Sequence, residues 1–322
     1  MSFKILGTGR CVPSNKVTND DLAEYIETSD EWISQRTGIR SRYISTGETN
    51  TDLATEAAKK AIEMAGISPE EIDLVIAGTV SADCIYPTLA CQVQANVGAV
   101  NALAFDLSAG CTGFLYSLQV ADGFMAAGTV KKALVIGAEV LSKMMDWNDR
   151  TTCVLFGDGA GAAIIEASDD PADKVSFVSG ADGAGGMALY CKNRPVNNHY
   201  VQNDTALDYT HMDGQAVFKF AVRTVPAALT EAISAHGISV DDIDVFLLHQ
   251  ANMRIIESVA KRLKAPIEKF PTIVEEYGNV SAASVPILLD VQVREGKLKR
   301  GDKIALSGFG AGLTWSAAVM TF

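Results

Sequence analysis

The sequence predicts an α/β chain whose two pseudo-duplicated halves stack into a five-layered αβαβα fold. Three observations carry that expectation. The first is a repeat: AIEMAGISPEEIDLVIAGT, residues 61–79, returns 171 residues later as AISAHGISVDDIDVFLLHQ, residues 232–250. Seven of thirteen positions agree between 61–73 and 232–244, and two more exchange Glu for Asp. The same offset sets Lys132 and Gly137 of KKALVIGAEV on Lys303 and Gly308 of DKIALSGFG. The second is the alternation of polar-capped helical patterns with short apolar runs, which implies mostly parallel sheets. The third is a pair of helical segments poor in charge: residues 112–127, where Asp122 is the only charged residue, and residues 282–295. A helix that is small or apolar nearly all round is buried on every side. These two therefore belong between the sheets, with the other helices outside.

In chain order, residues 52–65 read as a helix feeding a strand at 72–78, and KKALVIG as a further buried strand. In the second half, residues 214–235 read as a helix feeding a strand at 243–248, and DKIALSG as the matching strand. Between the halves ASDDPADKV, residues 167–175, has linker composition. We divide the chain there into an N-terminal half, 1–172, and a C-terminal half, 173–322. The glycine runs GDGAGA (157–162) and GFGAG (308–312) read as tight backbone turns at a pocket. The former is GxGxG followed by a strand-like run rather than GxGxxG before a helix, which disfavours a nicotinamide site.

Composition excludes several function classes. With 27 basic against 39 acidic residues the formal charge is −12, the opposite of a nucleic-acid-binding footprint. Six cysteines without a CxxC pair and four histidines without HExxH give no zinc pattern. There is no signal-like apolar run near Met1 and no stretch that reads as a membrane span. The expectation is a cytoplasmic protein with reduced thiols, no metal and no membrane association.

Chemistry concentrates at three points of the repeat. Cys111 stands in AGCTGF, where the first buried helix begins. A lone cysteine usually packs as a small apolar residue, but the 171-residue offset lands Cys111 on Ala282, the start of the second buried helix. Just before that start is Asn279, in YGNVSAAS, and His249 of HQAN closes the repeated strand. Groups at strand ends and helix starts converge where two α/β halves meet, so Cys111, His249 and Asn279 are expected in one pocket. A helix N-terminus favours a thiolate and lowers its pKa. Such a thiol attacks thioesters to form an acyl-enzyme, with backbone amides of Cys111 and the GFGAG turn as an oxyanion hole.

These motifs resemble the thiolase superfamily, and within it the bacterial β-ketoacyl-acyl-carrier-protein synthase III family. AGCTGF, HQAN and YGNVSAAS match the nucleophile, histidine and asparagine motifs in the right order. DEWISQRTGIRSR, FGDGAGAAI, GQAVFKFAV and GFGAGLTW read as further signatures across the chain. The resemblance implies a thiolase-like fold and a ping-pong decarboxylative Claisen condensation that initiates fatty-acid synthesis. Cys111 would take an acyl group from acyl-CoA, while His249 and Asn279 stabilise the enolate of decarboxylated malonyl-acyl-carrier protein. Amides of Cys111 and Gly310 would form the oxyanion hole. The resemblance also implies a homodimer and no cofactor, acyl-CoA being a substrate.

Carried over residue by residue, Trp32 and Arg150 would flank the CoA adenine and Arg36 would meet its phosphates. Gly214, Phe218 and Asn252 would line the pantetheine channel. Trp32 and Arg36 are four apart on a predicted helix and share a face. Tyr86, in IYPTLACQ, falls where the family shapes its acyl pocket from across the dimer, and many relatives carry Phe there. In MRIIESVAKRLK, Arg254 and Lys261 are seven apart on one helical face with Arg262 and Lys264 nearby, a candidate dock for the acidic carrier protein. Two alternatives stay open at this point. One is a specialised ketide synthase or acyltransferase of the same superfamily. The other is a cysteine-dependent thioester hydrolase, disfavoured because Ala109 stands where a nucleophile elbow needs glycine.

Overall fold

The computed structural model describes residues 2–322. Its main elements begin with strand β1 (Ser2–Cys11), helices α1 (Asp30–Thr37) and α2 (Asn50–Ala65), and strand β2 (Leu74–Gly78). Helix α3 (Leu89–Val97), strand β3 (Leu103–Leu107), helix α4 (Gly113–Ala126) and strands β4 (Lys132–Val140) and β5 (Asp158–Ser168) follow. The chain continues with β6 (Ser176–Ala181), α5 (Gly214–His236), β7 (Val245–Leu248) and α6 (Met253–Leu263). Helix α7 (Ser284–Arg294) and strands β8 (Lys303–Gly310) and β9 (Thr314–Thr321) complete it.

Two large sheets form, with strand orders β1-β5-β4-β2-β3 and β7-β8-β9-β6, beside two two-stranded ribbons among the described residues. Side chains alternate across each. Leu74 and Ile76 of β2 join a central core with α4 and α7, whereas Val75 and Ala77 pack outward against α2 and α3. In the second sheet Ile304 and Leu306 face the same central core, and Ala305 and Phe309 pack outward against α5 and α6. Strands buried on both faces read as continuous apolar runs. The result is the expected αβαβα stack, with α4 and α7 sandwiched in the middle.

The sheets are mixed rather than mostly parallel. β2 pairs parallel with β3 and β4, and β7 with β8, but β1–β5, β4–β5, β8–β9 and β9–β6 are antiparallel. A parallel return needs a crossover of a dozen or so residues, and between Gly310 and Thr314 the chain simply doubles back. GDGAGA is likewise mostly strand, not a turn, because β5 begins at Asp158. Its glycines serve close packing: a Cβ on Gly161 would lie 2.6 Å from the backbone nitrogen of Ile287 in α7.

The duplication extends to the caps. α2 starts from a Thr49–Asp52 capping box and stops at Gly66; α5 starts from Asp213 and stops at Gly237, 171 residues after Gly66. Each buried helix is preceded by a 3-10 turn in matching register, Gly110–Thr112 and Ser281–Ala283, whose first residue is left-handed (φ 51° and 45°). Each turn rests on a glycine of the other half. A Cβ on Gly137 would meet the Ala282 carbonyl at 2.2 Å, and one on Gly308 the Cys111 carbonyl at 3.2 Å. The halves diverge at β3. Residues 171 further on form a short helix, Val274–Tyr277, that delivers the chain to Asn279.

Candidate active site

Cys111 is the middle residue of the turn that opens α4, and it is buried. Gly310, at the end of β8, faces it: a Cβ there would stand 2.8 Å from the Cys111 Cβ and 2.9 Å from Sγ. Only glycine leaves room for the thiol. The helix-terminus expectation for its acidity is reversed. Burial pushes the Cys111 thiol up to about 11, and Glu139 pushes the same way. The Ser281 hydroxyl and the amides of Cys111 and Ala311 oppose this without overcoming it. The resting group is a thiol with thiolate-stabilising donors already in place.

His249 follows β7 directly, its amide donating to the Ser307 carbonyl at 2.8 Å. Its ring packs edge-on against Phe309, with centroids 5.1 Å apart, and Nδ1 has no partner. Burial alone lowers its pKa to about 3. The imidazole is therefore neutral, a hydrogen-bond donor rather than a cation. The following residue locks it in place: Gln250 is fully buried, donates to the Leu248 carbonyl and accepts from the amides of Ile273 and Val274.

Asn279 is sewn to the segment before β5. Its amide donates to the Leu155 carbonyl at 2.8 Å, and its carbonyl accepts from Gly157 at 3.0 Å. The side-chain Oδ1 accepts from the Ser281 amide at 2.9 Å. Because only oxygen accepts from an N–H, this bond sets the flip of the amide and leaves Nδ2 as a donor. FGDGAGAAI thus supports the asparagine from across the halves.

One cavity of about 370 Å³ is lined by Cys111, His249, Asn279, Phe309 and Gly310. The structure thereby brings the three candidate catalytic groups together. Trp32, Arg36, Arg150, Gly214, Phe218 and Asn252 line the same cavity, and Arg36 and Arg150 are exposed at its outer end. The shared face of Trp32 and Arg36 is real: the Arg36 guanidinium lies 4.6 Å from the Trp32 ring centroid. Arg150 lies 5.1 Å from that ring. A planar base between Trp32 and Arg150 needs about 7 Å, two contacts of ~3.5 Å, so Arg150 must swing aside to admit one. Asn252 caps α6 and donates to the Arg36 carbonyl at 3.0 Å. Arg254, Lys261 and Arg262 are exposed on α6, and Arg254 reaches the Gln35 carbonyl at 2.5 Å. Tyr86 stands apart, 84% exposed and outside the cavity of its own chain.

Sequence reasoning missed Leu189 and Met212 of the cavity wall, which carry no distinguishing signal. It also missed Ser281 and the buried Glu139 that accepts from it. A lone carboxylate inside the apolar run ALVIGAEV was the available clue.

The fold and this cavity define the class: a thiolase-like condensing enzyme, an acyltransferase. Residues 105–183 and 233–322 match the family described as 3-oxoacyl-[acyl-carrier-protein (ACP)] synthase III and its C-terminal part. A curated β-ketoacyl-[acyl-carrier-protein] synthase III of Clostridium perfringens is 46% identical over 318 residues, 98% of each chain. The chain belongs to the β-ketoacyl-acyl-carrier-protein synthase III family. A relative of the same name from Aquifex aeolicus is 44% identical over the full length of both chains. The solved 3-oxoacyl-[acyl-carrier-protein] synthase III of Aquifex aeolicus superposes with a TM-score of 0.92 at 43% identity, covering 99% of this chain and 100% of its own. The priming β-ketosynthase of the R1128 polyketide pathway superposes at 0.93 with 37% identity, covering 100% and 96%.

Proposed function

We propose that the chain condenses a short acyl-CoA primer, acetyl or branched, with malonyl-acyl-carrier protein through an acyl-Cys111 intermediate, opening fatty-acid synthesis. The observation that carries the reading is the single cavity in which Cys111, His249 and Asn279 meet below Trp32 and two exposed arginines. Cys111 Sγ attacks the thioester carbonyl, the bond to CoA breaks, and the Cys111 proton ends on the CoA thiol. Amides of Cys111 and Gly310 hold the oxyanion. Malonyl-carrier protein then binds and loses carbon dioxide. The neutral His249 and Asn279 Nδ2 donate to the enolate oxygen, which suits groups that bear no charge before the step. The carbanion attacks the acyl carbonyl, the thiolate of Cys111 leaves, and a solvent proton restores the thiol. The sequence of steps draws on no resident cofactor.

CoA enters with its adenine against Trp32 after Arg150 moves, its phosphates at Arg36, and its pantetheine past Gly214, Phe218 and Asn252. The carrier protein docks on Arg254, Lys261 and Arg262. The protein works as a cytoplasmic homodimer. Support comes from β3, an edge strand whose Leu103 is 52% exposed, and from the Ile85–Tyr86 pair, 72% and 84% exposed. Tyr86 then completes the partner's acyl pocket. The boundary between the halves falls in the linker at 172/173.

The test is product analysis with acyl-CoA and malonyl-carrier protein supplied together. The reading requires a β-ketoacyl-carrier product and one carbon dioxide per turnover; free acid alone would make the protein a hydrolase. The likeness to the R1128 priming synthase favours a second reading, a specialised ketide primer synthase of the same chemistry. A primer screen in which long or unusual acyl-CoAs outrun acetyl and short branched ones would select it.

A further inference from the structure

Glu139 has no part in the steps above, yet it is fully buried in β4. Its carboxyl accepts from the Thr79 hydroxyl at 3.2 Å, the Ser81 hydroxyl, the Val80 amide at 3.2 Å and the Ser281 hydroxyl at 3.2 Å. Holding a carboxyl in the interior is expensive without a cation beside it, and burial pushes its pKa up to about 7. Perturbed groups of this kind cluster at functional sites.

The duplication locates this carboxyl relative to the site. Glu139 occupies in β4 the place that Gly310, 171 residues on, occupies in β8. Gly310 backs the turn that carries Cys111, and Glu139 backs the equivalent turn, Ser281–Ala283. Ser281 adopts φ 45°, a left-handed conformation that a non-glycine residue keeps only when its surroundings hold it. Two bonds hold it: its hydroxyl donates to Glu139 Oε1, and its amide donates to Asn279 Oδ1 at 2.9 Å. Ser281 thereby links the buried carboxyl to the amide that orients Asn279.

We infer that Glu139 is a positioning residue for the condensation half of the reaction, anchoring Ser281 so that Asn279 presents Nδ2 to the cavity. The inference rests on Asn279 serving the enolate. Misplacing such a donor by about 1 Å costs on the order of 100-fold, whereas acylation of Cys111 does not use Asn279.

The experiment compares Glu139→Gln, Glu139→Asp, Ser281→Gly and Asn279→Ala with the wild type in both half-reactions, followed as Cys111 acylation by acetyl-CoA and carbon dioxide release from malonyl-carrier protein. Glu139→Gln should lower kcat for decarboxylation about ten-fold or more with KM unchanged and acylation not slowed, and Glu139→Asp should lose less. Ser281→Gly suits the left-handed turn but removes the hydroxyl. It should slow decarboxylation likewise, with a smaller loss in acylation because the same hydroxyl also faces Cys111; if Glu139→Gln fails to fold, the split between the half-reactions in Glu139→Asp decides the matter. Equal slowing of both half-reactions, or slowing of neither, overturns the inference. If Asn279→Ala abolishes decarboxylation while Glu139→Gln and Ser281→Gly leave it at the wild-type rate, only the role of Glu139 falls. If Asn279→Ala itself leaves decarboxylation intact, the role proposed for Asn279 falls with it.

Discussion

At the scale of single residues, the site is built from groups whose ordinary chemistry has been altered by burial. His249 shows the consequence for stability. Its folded pKa is about 3 against 6.5 for the free side chain, so between those values the unfolded chain binds a proton that the folded chain refuses. Stability therefore falls as pH falls below 6.5, by about 1.4 kcal/mol per pH unit from this group. Urea unfolding at pH 7 and pH 5 should show the wild type losing about 2 kcal/mol more than His249→Gln; parallel losses would place the imidazole in a hydrated setting. Gly310 makes the second residue-scale prediction. Gly310→Ala puts a methyl group within 2.9 Å of Sγ, so acylation of Cys111 should fall about 100-fold or more while CoA affinity, read by calorimetry, holds. Of the residues in the site, the cysteine, histidine and asparagine were legible in the sequence because the repeat marks where the two copies differ. The acidity of Cys111 was not legible. It depends on how completely the pocket excludes water, and a helix start in the sequence says nothing of that.

At the scale of elements, the outer helices were the most legible because local signals close them. Gly66 and Gly237 stop their helices, and Ser68–Glu71 and Ser239–Asp242 repeat the same capping box. Strand direction carried no such signal. An apolar run buried on both faces reads alike in parallel and antiparallel pairs, and only the length of the connection after Gly310 betrays the reversal. The GDGAGA run was misread for a related reason. Glycine serves turns and close approaches alike, and the partner that Gly161 admits is more than a hundred residues away in α7. The interlock of the two central turns yields an element-scale prediction. Gly137→Ala drives a methyl into the backbone carbonyl of Ala282, whereas a Cβ on Gly98, at the open end of α3, meets nothing. Gly98→Ala should cost about 1 kcal/mol for its left-handed φ. Gly137→Ala should exceed the 1–3 kcal/mol usual for overpacking, at about 4 kcal/mol or more, or fail to fold. Equal midpoints in chemical denaturation would refute the interlock.

At the scale of the whole molecule, an acidic chain of net charge −12 presents Arg36 and Arg150 at the cavity, and Arg254, Lys261 and Arg262 along the exposed side of α6, where Arg262 lines a separate surface pocket with Arg223. The acidic body repels most acidic partners, whereas exposed basic side chains on one helix orient one that meets them. Arg254→Glu should therefore raise KM for malonyl-carrier protein and leave acetyl-CoA turnover intact, and the rise should shrink as salt increases; an unchanged KM would move the dock elsewhere. In the proposed reaction one copy of the duplicated fold keeps the nucleophile and the other acts as its electrostatic partner. Intact mass after mixing with acetyl-CoA tests it most directly, followed by addition of malonyl-carrier protein. The wild type should carry a single acetyl adduct that malonyl-carrier protein discharges, Cys111→Ala none, and His249→Ala an adduct that forms and then persists. An adduct of equal size on Cys111→Ala, or none on the wild type, would contradict it.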